Sequence, residues 1–469
     1  MPIPRAGLAP MTPVVAALVL AFGAAGAQAQ SLSEVVQAAR GVDATYLGAR
    51  ASADAAHYRY EQARSVHLPT AGLQVQAGHD SNTSPTPISV PTGTTVPGTT
   101  TPAYTTAIVS ETAKTNTLGA TVNAQQNIFN RPNDLAIDQA QKNEDLAQSQ
   151  LVQADQDLIV RVAQAYFNVL AAADALNSVQ GNSKAIAEQL ASAKRNFEVG
   201  NATITDTREA EARADLARSK QIAAENDLVV AKVTLDQLVG RNGVVPHPLI
   251  LPATLPPVMP SQASDWVAIA ETDSQALKQA RLGLDVAQLQ TAKMRAGHLP
   301  TLVANATYGR SRAREAVDGE GTFTGSSRNS GVSVTLNVPI FSGFLIQNQV
   351  NEAVALEHKA RTDAEGAHNQ VVLATRTAFV GAVSQAAQVK ALEAAEASSK
   401  LSLDATLLGY KVGVKVNLDV LNAQSQLYDT QRDAAGARYQ YLVAQLKLRQ
   451  AAGNLGSNDL LPIDALLVK

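Results

Sequence analysis

No cysteine occurs among the 469 residues. A disulfide framework, a thiolate metal site and a lipid-modified N-terminal cysteine are therefore excluded. Aromatic residues are scarce, at 4%, although hydrophobic residues reach 45%. Much of that apolar fraction is alanine, which suits long, closely packed helices better than one thick globular core. Neither sign of charge prevails: 38 Lys and Arg stand against 41 Asp and Glu, a net charge of −3. That balance marks no polyanion binder, and no nucleic-acid partner is expected. Neither GxxxxGK[ST] nor HExxH occurs, which removes two common phosphate and zinc chemistries. The seven histidines are scattered, and His358 and His368 lack ligand spacing. No metal, no cofactor and no catalytic residue is expected, and an enzyme is the least expected class.

The N-terminus carries the marks of an export signal over residues 1–29. Arg5 gives a positive start, Val14 to Ala25 is a short apolar run, and Ala27-Gln28-Ala29 is a small-x-small cleavage pattern. The apolar run is too short for a transmembrane helix, and no later stretch is expected to cross a bilayer as a helix.

What the chain does have is an internal repeat, and repeats are read before anything else. Val199-Gly200 followed by Asp206 returns as Val412-Gly413 followed by Asp419. The register holds onward, so Gly240 falls on Gly453. A second echo ties His67-Leu68-Pro69-Thr70 to His298-Leu299-Pro300-Thr301. The first repeat is taken as 30–240 and the second as 262–453. Between them, 241–261 is a crossing whose six prolines forbid a helix or strand. A tail, 454–469, follows.

Each repeat reads the same way. A helix over Ser33 to Val66, with Ser33 as its cap, precedes two strands at about 68–82 and 114–129. There Leu73, Val75 and Ala77, then Leu118, Ala120 and Val122, alternate with polar residues. The Pro/Thr/Gly-rich stretch over 84–106 reads as an exposed loop. Pro132 then opens a helix that runs to Glu198, and a second runs from Thr203 to Val239. Their apolar residues recur in steps of four and three, the signature of coiled-coil packing. The second repeat gives a helix over Ser264 to Ala296, strands at about 299–312 and 328–341, and helices to Lys411 and from Asn417 to Ala452. A helix over Asn133 to Glu198 is about 100 Å long at 1.5 Å per residue. The two shorter helices of each repeat can stack end to end beside the long one.

Two free hairpins would leave unpaired edges, which self-association can close. The strands are long enough to cross a bilayer when tilted, and nothing in the sequence covers their apolar side. Lipid is the natural cover, so the fold class is mainly α with a transmembrane β-barrel. Phe129 and Phe341 stand at matching strand-to-helix junctions, where an interfacial aromatic belt is expected.

These residues closely resemble the TolC family of trimeric outer-membrane channel-tunnels. The likeness spans essentially the whole mature chain. It is most specific at the paired Val-Gly turns and at Asp419-Val420-Leu421-Asn422-Ala423-Gln424. The resemblance implies a homotrimer with a twelve-stranded barrel and a twelve-helix periplasmic tunnel, the crossing 241–261 lying in an equatorial belt. It implies passive export of small molecules or type I secreted polypeptides across the outer membrane of a Gram-negative bacterium. An inner-membrane transporter of ABC or RND type, working through a periplasmic adaptor, would supply energy and cargo. It implies that Asp419 lines the pore in a carboxylate ring, with Asn422 neutral where the family often has a second aspartate. It implies that Tyr410 and Lys415 latch the closed tip, with Asp206 or Thr205 as the partner of Lys415. It also implies that the turns at Val199, Gly200, Val412 and Gly413 dock the adaptor. Two alternatives stand beside this: a trimeric coiled-coil surface adhesin, which would carry a single C-terminal barrel anchor, and a periplasmic adaptor, which would need compact β-domains.

Overall fold

The computed structural model describes residues 29–200, 202–252, 255–317 and 321–468. The export signal expected over 1–29 lies, but for its last residue, outside them. The chain divides into two units. One is formed by residues up to Ala55, by Asp145–Gly283 and from Arg361 onward; the other by Ala56–Glu144 and Leu284–Ala360.

The second unit holds one antiparallel sheet of four strands, β1 (Thr70–Thr95), β2 (Pro102–Phe129), β3 (Thr301–Val317) and β4 (Gly321–Asn337), in the order β1-β2-β3-β4. The two hairpins are not separate, as the sequence suggested. β2 pairs with β3, from Ala113↔Val317 to Phe129↔Leu302, which joins the repeats. Only β1 and β4 remain as edges.

The first hairpin is longer than expected, and most of 84–106 is strand rather than loop. Pairing continues from Ser84↔Glu111 to Pro91↔Tyr104. Three prolines in this stretch do not break it, because β1 is an edge. Pro85, Pro87 and Pro91 fall at alternate positions of the ladder, so all three direct their missing N–H to the same side, away from β2. The second hairpin is also longer than the expected strands at 299–312 and 328–341, its strands reaching inward to Val317 and Gly321. Its tip, 318–320, lies outside the described residues.

Register sorts the side chains. Leu73, Val122 and Tyr308 share one face, as do Ala306 and Val332, and Leu302 and Leu336. Gln74, Thr121, Asn305 and Ser333 share the other. The apolar face is uncovered: Leu73, Leu118, Val334 and Leu336 are all more than half exposed.

The helical unit contains α1 (Leu32–Arg40), the start of α2 (Ala44–Arg64), most of α3 (Arg131–Glu198), α4 (Ile204–Val239) and α5 (Ala263–Asp273). It also contains the start of α6 (Gln275–Ala296), most of α7 (Leu345–Lys411), α8 (Asn417–Ala451) and a short α9 (Leu461–Asp464). The helix expected over Ser33 to Val66 is in fact two. Ser31, not Ser33, caps α1 in a capping box with Glu34. At the break Asp43 accepts the N–H of Tyr46 at 2.8 Å and restarts the helix as α2. The helix expected over Ser264 to Ala296 is likewise broken, at Ser274, whose backbone leaves the helical region. The echo of His67 in His298 places Asp43 opposite Ser274, so the two breaks are the same feature repeated.

Gly240 and Gly453 explain why their echo exists. Both have positive φ, +67° and +81°. A Cβ on Gly240 would lie 2.5 Å from Val42, and one on Gly453 2.4 Å from the carbonyl oxygen of Asp273. Each repeat thus ends with a glycine pressed against its own helix break.

Within α3, Leu158, Val162 and Val169 are buried with Leu32, Val36, Leu235 and Leu442 in the main core. An 18-residue window of α3 is apolar enough to cross a membrane by length and composition, contrary to expectation, but 56% of that window is buried inside the protein. Core packing accounts for its character. The crossing after α4 holds no helix or strand among its described residues. It is fastened by phenols and an indole. Tyr166 donates to Gln30 O at 2.9 Å and accepts the N–H of His247 at 2.8 Å. Tyr441 donates to Pro256 O at 2.6 Å, and Trp266 Nε1 to Pro260 O at 2.9 Å. Burial raises the Tyr166 phenol well above its ordinary pKa, so it stays a neutral donor.

Candidate functional site

The expected gate and docking residues gather at two turns within the helical unit, α3 to α4 and α7 to α8. Both turns rest on a left-handed glycine, Gly200 at φ +75° and Gly413 at φ +78°, a conformation in which a side chain is strained. The Gly200 N–H returns to Phe197 O at 3.0 Å and that of Gly413 to Tyr410 O at 3.1 Å. Val414 and Lys415 both donate to Gly409 O, at 2.9 and 3.1 Å. Val199 and Val412 stand 69% and 67% exposed, so each turn presents a bare apolar knob. Asn201 lies outside the described residues.

After the turns the repeats part. Thr203 caps α4 with a complete capping box: its Oγ1 accepts the Asp206 N–H at 3.1 Å, and Asp206 Oδ2 accepts the Thr203 N–H at 2.9 Å and its hydroxyl at 2.7 Å. Asp206 is therefore committed to its own helix. The matching cap position before α8 is Val416, which has no side-chain acceptor. Asp419 Oδ2 still accepts the Val416 N–H, at a longer 3.3 Å, and meets Lys415 Nζ at 3.6 Å. The expected contact of Lys415 with Asp206 or Thr205 is not made within the chain; the lysine pairs one turn along, with Asp419. Both partners are well exposed, so the pair contributes little to stability. Thr205 is exposed.

Tyr410 is tied to α3, its hydroxyl accepting from Asn196 Nδ2 at 3.4 Å. Asn422 accepts from Arg213 Nη2 of α4 at 3.1 Å. Gln189 Nε2 donates to Asn417 Oδ1. Beneath these polar contacts Leu421 is buried with Ile186, Ala193, Ala210 and Ala217. Sequence reasoning missed Gln189, Arg213 and Asn417. Only the polar start of α8 could have signalled Asn417.

In the sheet unit, Phe129 and Phe341 are 45% and 77% exposed. Phe341 meets Phe344 edge to face at 5.6 Å. Among the described residues no group of acids and histidines is placed to hold a metal ion.

The model of the family described as "Outer membrane efflux protein" matches residues 20–241 and 266–454. The outer membrane protein TolC of Escherichia coli (strain K12) is 30% identical over 98% of this chain and 89% of its own. The alkaline protease secretion protein AprF of Pseudomonas aeruginosa is 31% identical over 65% of this chain and 63% of its own. The crystal structure of the outer membrane protein VceC from Vibrio cholerae superposes with a TM-score of 0.69 at 19% identity, covering 90% of this chain and 96% of that one. The likeness to VceC concerns the fold alone. The chain belongs to the outer membrane efflux protein family and is a channel protein of the Gram-negative outer membrane.

Proposed function

We propose that three copies of this chain join β1 to β4 in turn, close a twelve-stranded barrel in the outer membrane, and enclose a periplasmic tunnel with their long helices. The observation that carries the reading is the sheet: two free edges and an uncovered apolar face in one unit. Closure removes the edges, and lipid covers the face. The channel is a passive conduit and catalyses nothing. An inner-membrane transporter, ABC or RND type, supplies energy, and a periplasmic adaptor grips the bare valines at Val199-Gly200 and Val412-Gly413. The crossing between repeats lies in an equatorial belt around the tunnel, and Phe129 and Phe341 mark the inner membrane–water boundary.

The gate is the α7–α8 turn. Three copies of Asp419 around a threefold axis would form a carboxylate ring that draws cations. Asn422, neutral and held by Arg213, adds no second ring. Tyr410 and Lys415 hold the resting tip, Lys415 through Asp419. The cargo is small molecules, secreted polypeptides, or both, the relation to AprF favouring secretion as part of the range. Purified protein in a planar bilayer should give stable single-channel conductance that multivalent cations added on the tunnel side block. A protein that never conducts would overturn the reading.

A further inference from the structure

Every charged residue of the four strands is sorted by face. Lys114, Arg310, Arg312, Arg314 and Arg328 share the face of Leu73, Val122 and Val334. Asp80, Glu111 and Glu315 all lie on the other. The overall charge of −3 hides this separation. The five cations are exposed, and none of the four arginines has an ion-pair partner among the described residues. They also cluster. Arg310 stands directly opposite Arg328, Arg312 lies opposite Leu118 and Ser326, and Arg314 lies opposite Asn116 and Thr324. Like charges directly opposed on a sheet are destabilising unless an anion lies between them.

Their height is equally telling. Leu302, at the helix-linked end of β3, begins the apolar stretch, and Tyr308 ends it just before Arg310. The eight residue steps from Leu302 to Arg310, at about 3.4 Å each and tilted by about 40°, rise roughly 21 Å. That is close to the height of the apolar band of an outer-membrane barrel, about 25 Å. Arginine on the lipid face is costly at the midplane and almost free of cost at the interface. The arginines therefore stand where the headgroups of the far leaflet begin.

We propose that Arg310, Arg312, Arg314 and Arg328, with Lys114 beside them, form an outward-facing site for the phosphate groups of an outer-leaflet glycolipid of the lipid A type. The guanidinium forks of Arg310 and Arg328 clamp one phosphate between adjacent strands, which removes their mutual repulsion. Arg312 and Arg314 take the second phosphate, and the acyl chains lie against the apolar stretch below. This rests on the barrel reading, since it needs that face to meet lipid.

The test uses the full-length protein in nonionic detergent, with diphosphorylated lipid A, its dephosphorylated form and phosphatidylglycerol as probes. Wild type should bind diphosphorylated lipid A at least tenfold more tightly than either other lipid, with affinity falling as salt rises. R310Q/R312Q/R314Q/R328Q should lose at least tenfold, and R310Q/R328Q, the milder variant should the first fail to fold, at least threefold. D80N/E315Q, which alters the opposite face, should bind like wild type. An arginine variant with wild-type affinity overturns the site. Equal binding of dephosphorylated lipid A or of phosphatidylglycerol overturns the choice of ligand. Single-channel recording of the same preparations separates the two levels: conducting protein without arginine-dependent binding removes this inference alone, whereas wild type that never conducts removes the barrel reading with it.

Discussion

The α3–α4 turn and the α7–α8 turn descend from one motif, yet only the first is closed on itself. Thr203 and Asp206 satisfy each other in a full capping box. In the second turn Val416 replaces the threonine, and Asp419 is left with one longer backbone contact and an exposed lysine. A Ser, Thr, Asn or Asp cap contributes about 1 kcal/mol to a helix start. The chain forgoes that at one of two equivalent places. A difference of one residue thus leaves the first turn tied by its cap and the second without one.

The same comparison can be drawn at the helix breaks, where the largest effects are expected. Gly453→Ala would drive a Cβ into the backbone of Asp273, whereas Gly240→Ala would meet only the side chain of Val42. We expect Gly453→Ala to destabilise by about 3 kcal/mol or more and Gly240→Ala by about 1–2 kcal/mol, both being strained at positive φ. Thermal unfolding that ranks them the other way would refute the equivalence of the two breaks.

Next comes acid. Asp43 is buried and held by Arg161 through two hydrogen bonds of 2.9 Å. These bonds lower its carboxyl below the ordinary carboxylate range, against the opposing effect of burial. A depressed carboxylate lends stability above its unfolded pKa and loses it as pH falls through the folded one. The α1–α2 break should therefore loosen below about pH 4, while the α5–α6 break, with Ser274 in that place, should not. Limited proteolysis at pH 3.5 and pH 7 checks this: cleavage favoured near Gly41 at low pH is the expected result, and equal sensitivity at both breaks counts against it.

At the turns, Asp419→Ala should weaken cation block by about tenfold, since it removes the carboxylates of the proposed ring. Asp206→Ala should leave block unchanged and cost about 1 kcal/mol of local stability. Single-channel recordings that show the reverse would exchange the roles of the turns. The smallest effect is a gain. Val416→Thr should supply the missing cap, slow hydrogen exchange at the start of α8 by about fivefold, and lower the open fraction of the channel. Exchange equal to that of wild type would mean the cap position does not govern the turn.

Much of this was legible in the residues. The heptad steps over Leu158, Val162 and Val169 gave the core of α3, and the echo of Gly240 in Gly453 marked equivalent ends of the two repeats, though not the contacts they make. The α1–α2 break was hidden because a gap of three residues leaves the apolar period on both sides nearly in phase, and the α5–α6 break because it interrupts the helix at Ser274 alone. The upper first hairpin was hidden because proline and threonine in series read as loop, and an edge strand tolerates what a central strand does not. At the site, Asp206 and Asp419 stood out as equals. Their unequal surroundings depend on Thr203 and Val416, and on Arg213 reaching Asn422, a residue that on the helix alone reads as solvated surface.

The prolines of β1 carry one more consequence. Their ring nitrogens face the free edge, the edge along which a neighbouring copy would have to zip. A partner strand rising from Thr70 finds its last complete donor row near Thr83 and then meets Pro85. β4, with its 17 residues, has little left to offer beyond that height. Pro85, Pro87 and Pro91 thus act as a ruler. In the proposed trimer they would end the seam between subunits at a set level and leave the remainder of the first hairpin outside it, able to drift in sequence without disturbing the wall beneath.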